Sequence, residues 1–442
     1  MPGDPLPPPA CDTLDASRAN RLYLSADDSN SMASPALARS LIESGQFVPP
    51  GILRTYEFLN YYRMGYEPAP AGQLVIYPEL RADENGSYTL QIGVQSEAPA
   101  SREQRRRLNI TFVLDTSGSM AGEPIELLRA AVRAVAHNLK SGDVVSMVTW
   151  NVDQRVVLEN RTVEGPDDPM VVAAASAMEA SGGTDLSGGL RVGYELANRT
   201  FRADSLNRVL LISDGIANVG VTDVSLIAEQ SRAGGGDGIY LAGIGVGDGV
   251  NDTLMDQATD AGKGAYVYLD RAEEAETMMY ARFDEVFDVA AREVQLELRL
   301  PWYLQMQRFY GEEWSSDPTE IEPQHLAPGD AMVFLQQIQA CEASRVSMDD
   351  PIEVIARWQT PVGHEARSVA MTATIGQLLA GSTDKLRKGE AIVAYAEALK
   401  TRTDFVATME RAKAKVVAAD PQGADRDLNE IKRLIERYEA QP

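Results

Sequence analysis

Two periodicities interleave between residues 108 and 270. Short apolar runs read as strands: LNITFVLD (108–115), DVVSMVTWN (143–151), QRVVLENRTV (154–163), RVLLISD (208–214), GIYLAGIGVG (238–247) and AYVYLD (265–270). Between most of them apolar residues recur at helical spacing, as in EPIELLRAAVRAVAHNLK (123–140) and LSGGLRVGYELANRTF (186–201). The segments FVL, VLLI and YLAGIGV are apolar without alternation, as expected of strands covered on both faces. Strands alternating with helices imply a mainly parallel sheet with right-handed crossovers. DVVSMVTWNVDQRVVLE departs from that rule, because strands so close in sequence can only form a hairpin, making one edge antiparallel. The pattern predicts a doubly wound α/β domain over 106–290.

The flanks follow other patterns. Residues 1–20 are Pro-rich and read as a solvated tether. In 21–105, helical spacing in SPALARSLIES (34–44) and GILRTYEFLNYYRMGY (51–66) precedes two alternating segments, QLVIYPEL and SYTLQIGVQ, read as strands. The basic run SREQRRRL (101–108) reads as a solvated linker. From 291 to 380 strands come without helices between them (VQLELRL, AMVFLQQIQA, PIEVIARWQT, ARSVAMTAT), an all-β pattern that the strands of 73–96 are candidates to complete. Residues 381–442 carry three helical patterns. In the last, Leu428, Ile431, Leu434 and Ile435 form one stripe, too short for a coiled coil and expected to pack on the parent domain.

Composition narrows the partners. With 44% hydrophobic and 24% charged residues, the chain can bury a real core. A formal net charge of −24 repels phosphate backbones and sets nucleic acid aside. No window approaches the roughly 20 apolar residues of a membrane span. Cys11 and Cys341 form no zinc or scaffold pattern; they either pair over a long range or stay free. The opening residues lack a signal peptide's basic and apolar regions. A mature exported chain is the reading preferred here, with a cytosolic one left open.

Candidate chemistry collects at strand ends. The first strand of the α/β region closes in Asp115-Thr116-Ser117-Gly118-Ser119; SGGTDL places Thr184 ahead of a helix; ISDG ends another strand at Asp214. Ligands in doubly wound sheets sit beyond the carboxyl ends of the strands, where these three loops belong. Asp115, Ser117, Ser119, Thr184 and Asp214 are all hard oxygen donors, suited to Mg²⁺, with Mn²⁺ or Ca²⁺ as alternatives, and unsuited to zinc or copper. Two carboxylates, against the four that would cage such an ion and quench its charge, leave room for an external oxygen. Gly118 and the pair Gly182-Gly183 permit close backbone approach.

DTSGS followed by GGTDL and ISDG resembles the metal-ion-dependent adhesion site of the von Willebrand factor type A family. The resemblance implies that Ser117 and Ser119 ligate the metal directly, Thr184 directly or through water, and Asp115 and Asp214 largely through water. It further implies a non-enzymatic adhesion or assembly module that captures an exposed Asp or Glu of a protein partner. RSLIESGQFVPPGILRTYEFLNYYRMGYEP, RVLLISDGIANVGVTD and MDQATDAGKGAYVYLD extend the likeness to bacterial secreted or lipid-anchored proteins carrying this domain. In some members the helix corresponding to 271–290 shifts when the metal site is filled, which makes a similar shift an expectation here.

Rival readings are weaker on the residues. GIGVGDG (243–249) lacks the glycine that a dinucleotide loop needs at 248 and reads as a strand end and turn. SRAGGGDG (231–238) reads as a helix stop and connector. Of the three histidines, His137 is mid-helix and His325 and His364 lie outside the α/β region, so Ser117 has no evident base. A phosphohydrolase using Asp115 as nucleophile would want a carboxylate where Ser117 stands. A scaffold with an incidental metal is the third reading.

Overall fold

The computed structural model describes residues 9–27, 30–83, 86–215, 221–232, 238–402 and 404–441. In chain order its elements are β1 (Asn20–Ser25), α1 (Ala33–Glu43), α2 (Thr55–Tyr61), β2 (Val75–Ala82), β3 (Ser87–Gln95), β4 (Leu108–Asp115), α3 (Glu123–Asn138), β5 (Val144–Trp150), β6 (Gln154–Thr162), α4 (Pro169–Ser176), α5 (Leu186–Thr200), β7 (Leu206–Ser213), α6 (Val221–Arg232), β8 (Tyr240–Val246), α7 (Asp252–Gly262), β9 (Lys263–Leu269), α8 (Ala272–Glu276), α9 (Phe283–Phe287), β10 (Ala291–Leu300), β11 (Leu304–Phe309), β12 (Glu313–Ser315), β13 (Gln324–Leu326), β14 (Ala331–Ala340), β15 (Pro351–Gln359), β16 (Ala366–Thr374), α10 (Ile375–Leu379), α11 (Asp384–Lys400), α12 (Phe405–Ala419) and α13 (Arg426–Glu439). Two compact units result, one of residues 29–40 and 99–289, the other of 1–28, 41–98 and 290–442.

The first unit is the doubly wound α/β domain. Its sheet runs β6-β5-β4-β7-β8-β9. Every pair is parallel except β5 with β6, the hairpin read from the sequence. β4, β7 and β8 are buried at every residue, which is why their sequences carry no alternation. Val113, Val148, Trp150, Leu190, Tyr194, Leu211, Leu241 and Tyr266 build much of the core against α5 and α7. From β4 the chain goes to β5 on one side and later returns to β7 on the other, so the switch point lies between β4 and β7.

Several expectations for this unit need correction. Residues 30–40, read as part of a separate N-terminal region, pack here: Met32 N–H donates to the Tyr266 carbonyl (2.8 Å), and buried Arg39 pairs with Asp270 and Glu274, each at 2.7 Å. The basic run is not a solvated linker. Arg105 is buried against Asp143 (2.6 Å) with its guanidinium over the Phe283 ring, and Arg106 reaches Asp288 at 2.9 Å. The helix expected over 271–290 is broken into α8, a π turn at Thr277–Ala281, and α9. The Asn138 amide donates to the carbonyls of Met279 and Tyr280 in the π turn. GIGVGDG is a strand end and turn, as read. The connector read over 231–238 falls largely on 233–237, outside the described residues.

The second unit holds two antiparallel sheets. One runs β12-β1-β10-β15-β16 with β13 also on β10; the other runs β11-β14-β3-β2. Strands from before the α/β region therefore pair with strands from after it, β3 with β14 and β1 with β10. One apolar core draws on both sheets through Leu22, Leu24, Leu90, Ile92, Leu296, Leu298, Phe334, Ile338 and Val354. The stripe Leu428, Ile431, Leu434 and Ile435 on α13 is buried, as its pattern predicts. The tether reading of 1–20 fails for its described part: Cys11 is disulfide-bonded to Cys341, and β1 begins at Asn20.

Candidate metal centre

β4 ends at Asp115 and β7 at Ser213, side by side at the switch point. The hydroxyl of Ser213 donates to one Asp115 oxygen (2.7 Å) and the Ser117 N–H to the other (2.9 Å), which fixes the orientation of a buried carboxylate. Gly215 N–H donates to the Ser213 hydroxyl (2.9 Å), so the turn carrying Asp214 is tied to the same point. Gly215 has φ +68°, and a Cβ there would press on the Asn251 backbone, whose N–H reaches the Asp214 carbonyl at 3.3 Å. Glycine is the residue that both the φ and the space allow.

The third loop joins through backbone. Ser181 N–H donates to the Thr116 carbonyl (2.8 Å), and Gly118 N–H to the Gly182 carbonyl (3.0 Å). A Cβ on Gly118 would stand 3.1 Å from that carbonyl, and Gly182 adopts φ +81°. Thr116 is itself held by the Trp150 carbonyl, through its N–H at 2.9 Å and its hydroxyl at 3.1 Å.

Of the five residues singled out in the sequence, Ser117 and Ser119 have their hydroxyl oxygens 3.0 Å apart, and Asp115 and Asp214 are buried beside them. Thr184 is exposed and meets the others through its loop's backbone, one residue before the N-cap of α5. Burial pushes the Asp115 carboxyl above its ordinary range; the Ser213 and Ser117 hydrogen bonds oppose that shift, and the Asp214 charge adds to it. Among the described residues no three His, Cys, Asp or Glu side chains gather as a metal site. The donor set of two carboxylates and three hydroxyls instead fits a hard divalent cation, since every donor is oxygen. Sequence reading missed Ser213. Its signal was available in ISDG, a hydroxyl one residue ahead of the carboxylate on a strand end.

A doubly wound sheet with three oxygen-bearing loops at its switch point defines the class. Residues 109–281 match the family model of the von Willebrand factor type A domain, and the chain carries a domain of that family. The uncharacterized protein YfbK of Escherichia coli (strain K12) is 25% identical over 402 residues, covering 83% of this chain and 69% of that protein. Inter-alpha-trypsin inhibitor heavy chain H3 of Pongo abelii is 24% identical over 195 residues, 43% of this chain but 22% of its own length. Among solved structures, the von Willebrand factor type A protein from Catenulispora acidiphila superposes with a TM-score of 0.53 at 13% identity, over 82% of this chain and 88% of that one. That likeness is one of fold. Among the described residues no helix is long and apolar enough to cross a membrane.

Proposed function

We propose that the chain is a metal-dependent protein-binding module. Asp115, Ser117, Ser119, Thr184 and Asp214 hold one divalent cation, Mg²⁺ in the first place, and a partner's Asp or Glu completes its shell. The observation that supports this reading is the tying together of three loops at the switch point with two carboxylates among five oxygen donors. When bound, the cation would supply a Lewis-acidic centre in a chain of net charge −24. The protein's own part is to fix the donors: Ser213 orients Asp115, Trp150 holds Thr116, and Gly182 receives Gly118. A binding role rather than catalysis agrees with the lack of a histidine on the three loops. The bonded Cys11–Cys341 pair supports an extracytoplasmic location, where disulfides persist.

Calorimetric titration with Mg²⁺, Mn²⁺ and Ca²⁺ tests the reading. Saturable binding at one site is expected, abolished in Asp115→Ala and Ser117→Ala and weakened in Thr184→Ala, whose exposed position leaves folding intact. Undiminished binding in all three variants would sink the proposed site.

A further inference from the structure

The loop of Ser181, Gly182, Gly183 and Thr184 is exposed throughout, so packing does not hold it. Its start is fastened by the two backbone bonds to Thr116 and Gly118. Its end rests on Asp185, which does two jobs. One carboxylate oxygen caps α5 by accepting from Gly188 N–H at 3.0 Å. The other accepts from the side-chain amide of Gln154, the first residue of β6, at 2.6 Å. Through both oxygens Asp185 fastens the end of the loop to α5 and to β6.

The sequence makes room for this contact. A Cβ at position 188 would overlap both the Gln154 amide nitrogen and the Asp185 carboxylate, and one at 189 would overlap the Trp150 indole. Gly188 and Gly189 let the first turn of α5 settle onto the β5–β6 hairpin with Thr184 just ahead of it. Trp150 at the other end of the hairpin turn holds Thr116 through its carbonyl. The antiparallel hairpin thus grips two of the three loops of the site.

We infer that Gln154 is a positioning residue for the cation: its amide clamps Asp185 and so sets where the Thr184 hydroxyl is presented. This inference rests on the proposed metal site. Partners that orient metal ligands typically matter by about 10–100-fold in affinity, and the clamp lies at the lower end because Thr184 is one donor of five.

The test is Mg²⁺ titration of the full chain, with the thermal midpoint measured alongside. Gln154→Ala is expected to weaken Mg²⁺ binding about tenfold with little change in midpoint. Combining Gln154→Glu with Asp185→Asn reverses donor and acceptor while keeping the N-cap, and should restore affinity. Glu159→Gln, on the same strand as Gln154, cuts an exposed pair with Arg199 of α5 and should change nothing. Wild-type affinity in Gln154→Ala, or failure of the reversed pair to restore binding, overturns the clamp alone. A wild type that binds no Mg²⁺ overturns the metal site and the clamp together.

Discussion

Asp284 shows how one side chain couples the fold to pH. Burial pushes its carboxyl up to about 6, the neighbouring Asp288 adds to the shift, and the Arg105 guanidinium opposes it. Its unfolded value is near the ordinary ~3.9. Between about 4 and 6 the native state therefore binds more protons than the unfolded state, and this group's contribution to stability falls as pH rises through that window. Asp284→Asn is expected to remove the loss, so the variant gains more over the wild type at pH 7 than at pH 4.5. Urea midpoints at the two pH values check this; equal differences would show that the carboxyl titrates as it does in the unfolded chain. The sequence shows an acidic residue two ahead of an apolar pair, and nothing in it reveals the burial. The five candidate donors are the opposite case: strand ends and loops put their types and places on view, while the Ser213 bond that orients Asp115 emerges only when β4 and β7 lie side by side.

Among elements, the hairpin and the fully buried strands were legible because period and spacing are local properties. The SREQRRRL segment was not. Four arginines in a row of polar residues look solvated until Asp143, 38 residues on from Arg105, closes beneath them. Asp143 accepts from Arg105 (2.6 Å), from Leu108 N–H at the start of β4 (2.8 Å) and from Lys140 N–H after α3 (2.9 Å). It joins three segments through one carboxylate. Asp143→Ala should cost about 3–5 kcal/mol in denaturant unfolding, because Arg105 would be left buried without its counter-charge. A cost below about 1 kcal/mol would mean that water reaches the guanidinium. The broken helix at 277–281 has the same lesson: the apolar spacing of RAEEAETMMYARFDEVFDVA runs on, and the amide of Asn138, on another helix, bonds the carbonyls of the interrupting π turn.

For the molecule as a whole, the disulfide carries the test. Cys11 and Cys341 lie 330 residues apart in sequence and 5.2 Å apart between Cα atoms, joining the segment before β1 to the end of β14. Reduction, or Cys341→Ser, is expected to lower the stability of the two-sheet unit by roughly 2–4 kcal/mol. Denaturation with and without dithiothreitol reads it out. An unchanged midpoint would place residues 9–19 outside the cooperative unit.

The sequence by itself determined the α/β domain, its antiparallel edge, the burial stripe of α13 and which oxygen-bearing residues stand on the three strand-end loops, because each is written in local spacing and residue type. The tertiary structure alone decided the pairing of the cysteines, the joining of β1 to β10 and of β3 to β14 across the whole α/β region, the recruitment of residues 30–40 to the α/β unit, and the bond of Gln154 to Asp185. Those depend on contacts between residues far apart in the chain. No local period encodes them.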